Sequence, residues 1–123
     1  MALFLTELDA RQETEEYWRL LAPLVYVDDD GSVIEVPAGF PTDFASIPRG
    51  LWNIFPKSGL HNKAAVVHDW LCVTKPMDSD EAHAVFYRAL GACGVSWWKK
   101  RLMYWAVKWF GPKFKAETAV GTP

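Results

Sequence analysis

The stretch Leu24-Val25-Tyr26-Val27-Asp28-Asp29-Asp30-Gly31-Ser32-Val33-Ile34-Glu35-Val36 decides how this chain is read. Two runs of β-branched and aromatic residues flank an acidic turn, and Asp-Gly supplies the positive φ that a tight hairpin needs. A β-hairpin is therefore predicted, ended by Pro37, which removes an amide donor from the ladder. Upstream, a short apolar segment and a charged connector from Asp9 to Glu16 lead into Tyr17-Trp18-Arg19-Leu20-Leu21, again rich in strand formers. Downstream, Pro37, Gly39, Pro41, Pro48 and Gly50 make residues 37–60 a long ordered loop with one short helical turn through Leu51-Trp52-Asn53-Ile54-Phe55.

Beyond the loop the apolar period changes from two to that of a helix. With Asn62 as N-cap, Lys63 to Val73 reads as a helix whose stripe is Ala64, Val67, His68, Leu71 and Cys72. His68 then points inward, and Asp69 lies about 100° round the helix, on one flank of the stripe. Asp78 with Glu81 three residues later resembles a capping box, and Ala82, Val85, Phe86, Ala89 and Leu90 form the buried stripe of a second helix with His83 at its edge. Gly91 and Gly94 close that helix. Ser96 caps a third from Trp97 to Phe110, stopped by Gly111-Pro112. The fold class is α+β: a small N-terminal antiparallel β-hairpin or sheet, a long ordered loop and about three α-helices. Residues 1–115 are expected to form one domain and residues 116–123 a flexible tail.

A chain of 123 residues that is 50% apolar and 15% aromatic can bury roughly two thirds of its unfolded surface, which suffices for an independent core. Its only cysteines, Cys72 and Cys93, fit neither a zinc knuckle nor a disulfide framework and are expected as free thiols. The N-terminus lacks the basic flank and apolar run of a secretory signal. No stretch approaches the ~20 apolar residues of a transmembrane segment, so synthesis in the cytoplasm is expected. The formal net charge of -2 is unevenly spread. Residues 1–43 carry most of the acids, whereas Trp97 to Lys115 holds Lys99, Lys100, Arg101, Lys108, Lys113 and Lys115 without a carboxylate. Such a local basic face suits phosphate, acidic lipid or an acidic protein, while the overall acidity argues against non-specific nucleic-acid binding as the main role, and no specific nucleic-acid partner is expected.

Two segments combine backbone constraint with titratable groups: Gly39-Phe40-Pro41-Thr42-Asp43-Phe44-Ala45-Ser46-Ile47-Pro48 and Val67-His68-Asp69-Trp70-Leu71. An inward imidazole titrates near neutral pH and can serve as general base or metal ligand. A carboxylate beside it, and a second one arriving on a proline-stiffened loop, could orient the ring or complete a divalent-metal shell. The candidate catalytic residues are therefore His68, Asp43 and Ser46, and the candidate metal ligands Asp43, His68, Asp69 and His83. The structural alternatives are a core His68 bonded to a backbone carbonyl, an Asx-turn at Asp43, an ion pair between Asp69 and Lys63 or Arg49, and a surface His83. The third helix carries a separate signal. Trp98, Leu102, Trp105 and Trp109 repeat with a helical period, making Trp98, Trp105 and Trp109 candidate interface residues; the alternatives are core packing under lysine stems and an interfacial membrane helix.

From about Trp18 to Phe114 the chain resembles the phage and prophage proteins grouped as domain of unknown function 1353. The resemblance is carried by Val36-Pro37-Ala38-Gly39-Phe40, Thr42-Asp43-Phe44-Ala45-Ser46-Ile47-Pro48, the His68-Asp69 pair and the closing helix from Gly94-Val95-Ser96 to Gly111. It departs from the family pattern at His83, where relatives tend to carry Asp, and at Cys72, where they are often aromatic. Two histidines with two carboxylates favour a transition metal over calcium or magnesium. The resemblance implies a bacteriophage or prophage origin and brings no established activity. The aromatic-basic third helix, the small size and the flexible tail lead to the expectation of a virion- or tail-associated component with other phage structural proteins as partners. A metal-assisted hydrolase acting on host-envelope peptidoglycan or lipid is the alternative.

Overall fold

A computed structural model describes residues 2–14, 17–42, 61–110, 113 and 115. Among these residues six strands, β1 (Leu3–Phe4), β2 (Ala10–Gln12), β3 (Trp18–Leu20), β4 (Leu24–Val27), β5 (Val33–Val36) and β6 (Pro41–Thr42), precede three helices, α1 (Asn62–Thr74), α2 (Ser79–Ala92) and α3 (Trp97–Phe110). The expected α+β arrangement is present, with the strands divided between two antiparallel sheets in the orders β1-β4-β5 and β2-β3-β6.

The hairpin forms as its sequence dictates. Leu24 pairs with Val36 and Val27 with Val33. The Asp28 amide bonds the Ser32 carbonyl at 2.8 Å, and Gly31 adopts φ 87, the left-handed geometry that glycine reaches without a Cβ penalty. Alternation then sorts the side chains: Leu24, Tyr26 and Val36 are buried, while Val33 and Glu35 face outward. The charged connector holds a strand that its residues do not announce. Ala10–Gln12 pairs with β3, Arg11 opposite Arg19, and Arg19 Nε bonds Glu13 at 2.8 Å. Arg and Gln have little intrinsic strand preference, so the backbone ladder of β3 imposes this one.

The helices pack α1 on α2, α2 on α3 and α1 on β5. Their stripes meet Leu20, Leu24, Tyr26 and Val36 in one core that also takes Phe86, Leu90, Met103 and Val107. All five stripe residues predicted for α2 are buried. Two cap assignments need correction. His61, not Asn62, is the residue before α1, and neither it nor Asp78 before α2 makes a side-chain cap bond.

The C-terminus of α2 ends in a Schellman motif, Gly94 N–H to the Gly91 carbonyl at 3.0 Å and Val95 N–H to the Leu90 carbonyl at 3.1 Å, with Gly94 at φ 84. Among the described residues, no heavy atom beyond Gly94 and its two chain neighbours stands within 4 Å of where a Cβ would go, so the cost of a side chain there is conformational. Gly94→Ala should destabilise by about 1–2 kcal/mol, read as a lowered urea midpoint with an unchanged slope.

Candidate functional site

α1 and α2 face each other across a histidine pair. His68, at the middle of α1, and His83, in the second turn of α2, are 0% and 1% exposed. His68 Nε2 lies 2.9 Å from His83 Nδ1, so one ring donates its N–H to the other. His68 also packs against Phe86, ring centroids 4.8 Å apart. Burial, reinforced by the neighbouring His83, pushes His68 down to about 3. The ring is neutral at physiological pH. Cys72, one turn on, brings Sγ to 3.9 Å from both His68 nitrogens. Burial, with the Asp69 carboxylate nearby, pushes its thiol up to about 12, so it stays protonated.

Asp69 leaves this pair and turns to the strand. Thr42 Oγ1 donates to Asp69 Oδ2, and Phe40 meets the neighbouring Trp70 edge-on at 5.2 Å. These two contacts fasten the start of the proline-stiffened block to α1. Asp43 and Ser46 themselves lie outside the described residues, as do the expected turn from Leu51 and the tail from Ala116. Among the described residues no group of three or more His, Cys, Asp or Glu side chains is placed to hold a metal ion. The structure thus brings His68 to His83 and Asp69 to Thr42. His83 was expected at the edge of its stripe and is instead sealed in the core, because the facing imidazole satisfies its Nδ1 there.

Reasoning along the chain missed a second polar centre. Arg88 on α2 forks onto Asp28 through Nε–Oδ1 and Nη2–Oδ2 contacts, both 2.8 Å, and Tyr26 donates its hydroxyl to Asp28 at 2.9 Å. The guanidinium holds the Asp28 carboxyl below its ordinary value, and burial pushes the Tyr26 phenol upward. Asp28 reads as a turn residue and Arg88 as a helix flank. No local pattern links positions 60 apart in sequence.

The surface of α3 is the other candidate. Its core face is Met103, Ala106 and Val107, whereas Trp97, Trp98, Trp105 and Trp109 are exposed, the last two at 60% and 62%. Trp105 and Trp109 stack with centroids 6.1 Å apart. Lys99, Lys100 and Lys108 lie over the rings of Trp98, Tyr87 and Tyr104 at 5.5, 4.9 and 5.9 Å, shielding parts of the aromatic surface while keeping their charge in water. Beside the stripe a groove of about 380 Å³ runs between α2 and α3, lined by Ala84, Tyr87, Arg88, Arg101, Tyr104 and Trp105. Among the described residues no helix is long and apolar enough to cross a membrane.

Residues 18–107 match the family described as "Protein of unknown function (DUF1353)". The chain is 39% identical over 105 residues to the uncharacterized protein y4jT of Sinorhizobium fredii, covering 84% of this chain and 31% of that one. It is 36% identical over 97 residues to the uncharacterized protein y4iH of the same organism, covering 77% of this chain and 41% of the other. The chain therefore spans well under half the length of these curated relatives. No solved structure matches it. The chain belongs to the DUF1353 family.

Proposed function

We propose that this DUF1353 domain is a phage- or prophage-encoded assembly module, made in the host cytoplasm and built into the virion or its tail, that docks on neighbouring proteins through α3. The observation that carries the reading is the exposed stripe of Trp98, Trp105 and Trp109 beside Arg101 and Lys108. Tryptophan and arginine are the residues on which binding energy concentrates at protein interfaces, and a contiguous exposed apolar patch on a small domain marks a contact site. The alternative, a hydrolase acting on the host envelope, asks His68 to reach a substrate proton. A general base must come within hydrogen-bonding distance of that proton, and an imidazole at 0% exposure, already bonded to His83, favours the assembly reading.

The test is a photo-cross-linking residue placed at Trp105 in purified particles of the encoding phage. Adducts with a neighbouring virion subunit, a second copy of this chain or a different protein, are expected, reduced at least about tenfold when Trp98 and Trp109 are both changed to Ser, since each buried tryptophan anchor contributes about 2 kcal/mol or more. Absence of the chain from particles, or envelope hydrolysis by the intact chain that His68→Gln abolishes, would overturn the reading.

A further inference from the structure

The surface opposite in character to α3 is the outer face of the β1-β4-β5 sheet. Register places Leu3, Val27 and Val33 in one cross-strand row. The next row holds Val25 opposite Glu35, with Leu5 beside them through its amide bond to the Val25 carbonyl at 2.9 Å. The partners of alternation, Phe4, Leu24, Tyr26, Ile34 and Val36, face the core, so this row is the sheet's second side. Leu3, Leu5 and Val33 are exposed, Val33 at 62%. Glu35 on the sheet and Asp30 in the turn at its end give this face an acidic edge, both exposed. A half-apolar face with an acidic border and a half-apolar helix with a basic border are complementary twice over.

Building on the reading that α3 is a docking face, we propose that its partner is a second copy of this chain. The tryptophan stripe of one copy packs on Leu5 and Val33 of the next, with Arg101 and Lys108 meeting Glu35 and Asp30. Because two different surfaces meet, the contact is heterologous: successive copies close into a ring if the rotation closes and otherwise form an open filament. Opposite charges at the border set orientation and speed encounter, while the apolar centres supply the attraction that persists in salt.

Sedimentation of the full chain tests this. Assembly that grows with protein concentration and weakens as salt rises is expected. Arg101→Glu with Lys108→Glu, and separately Val33→Lys with Glu35→Lys, should each weaken self-association by roughly a hundredfold or more, because each juxtaposes like charges. All four positions are surface positions, so circular dichroism and melting should stay near those of the parent. Mixing the two variants should restore a complex, since an acidic helix then meets a basic sheet. A parent chain that remains monomeric at low salt, or folded variants that fail to recombine, would overturn the proposal. So would a monomer whose tryptophan emission shifts to the blue on vesicles of anionic phospholipid, which would assign α3 to a membrane surface. A monomer that still cross-links through position 105 to a different virion protein would overturn self-assembly while leaving the docking reading in place.

Discussion

Between pH 6.5 and about pH 4.5 the fold is expected to lose up to about 3 kcal/mol of stability through His68 alone. In the folded chain this imidazole takes up a proton only near pH 3, because burial and His83 oppose the charge, whereas in the unfolded chain it does so below 6.5. Over that window the unfolded state binds more protons, so stability is complete above pH 6.5 and falls by about 1.4 kcal/mol per pH unit on acidification. For a domain with a total stability of about 5–15 kcal/mol that is a large fraction. Urea titrations at successive pH values measure the slope. His68→Gln should cost about 2 kcal/mol at neutral pH through lost ring packing and should flatten the slope in this window. An unchanged slope in His68→Gln would remove His68 as its source. Asp28 contributes at lower pH: its folded carboxyl titrates below the ordinary 3.8, so its share is present above 3.8 and is lost as pH falls through the lower folded value.

Arg88→Met should destabilise the domain by about 3 kcal/mol, the lower end of the range for breaking a buried ion pair. The lower end applies because the Arg88 side chain is one-third exposed and water shares in solvating it, while Asp28 is 6% exposed. Removal of the guanidinium leaves that carboxylate with the Tyr26 hydroxyl and the Asp29 amide. Tyr26→Phe takes away one hydrogen bond and should cost about 1 kcal/mol. Adding Asp28→Asn to Arg88→Met should recover a substantial part of the loss, because the stranded charge disappears with it. Urea unfolding of the four proteins measures these differences. Equal losses in the single and double variants would show that shape, rather than charge, governs this joint between hairpin and helix.

The parts of this fold legible in the sequence are those decided by neighbours along the chain. Gly31 and Gly94 take positive φ where turn and helix end require it, and the spacing of Val85, Phe86, Ala89 and Leu90 alone places the buried face of α2. The inward direction of His68 followed from the same periodicity. What escaped was decided by partners on other elements, near or far in sequence. Ala10–Gln12 becomes a strand because β3 offers an open ladder. Arg88 finds Asp28 across the packed layer, and Asp69 finds Thr42. His83, at the margin of its stripe, is drawn into the core by an imidazole on another helix. Of the expected chemical cluster, His68 and His83 meet, Asp69 is engaged elsewhere, and Asp43 and Ser46 fall outside the described residues.

The burial of the histidine pair between α1 and α2 is tested most directly by nuclear magnetic resonance of the ¹⁵N-labelled imidazoles across the pH range of folding. The expected spectrum shows His68 neutral and fixed in one tautomer down to acid unfolding, with its ring N–H or that of His83 protected from exchange with water. An imidazole at position 68 that titrates near 6.5 and exchanges freely would contradict the sealed pair and favour the hydrolase reading.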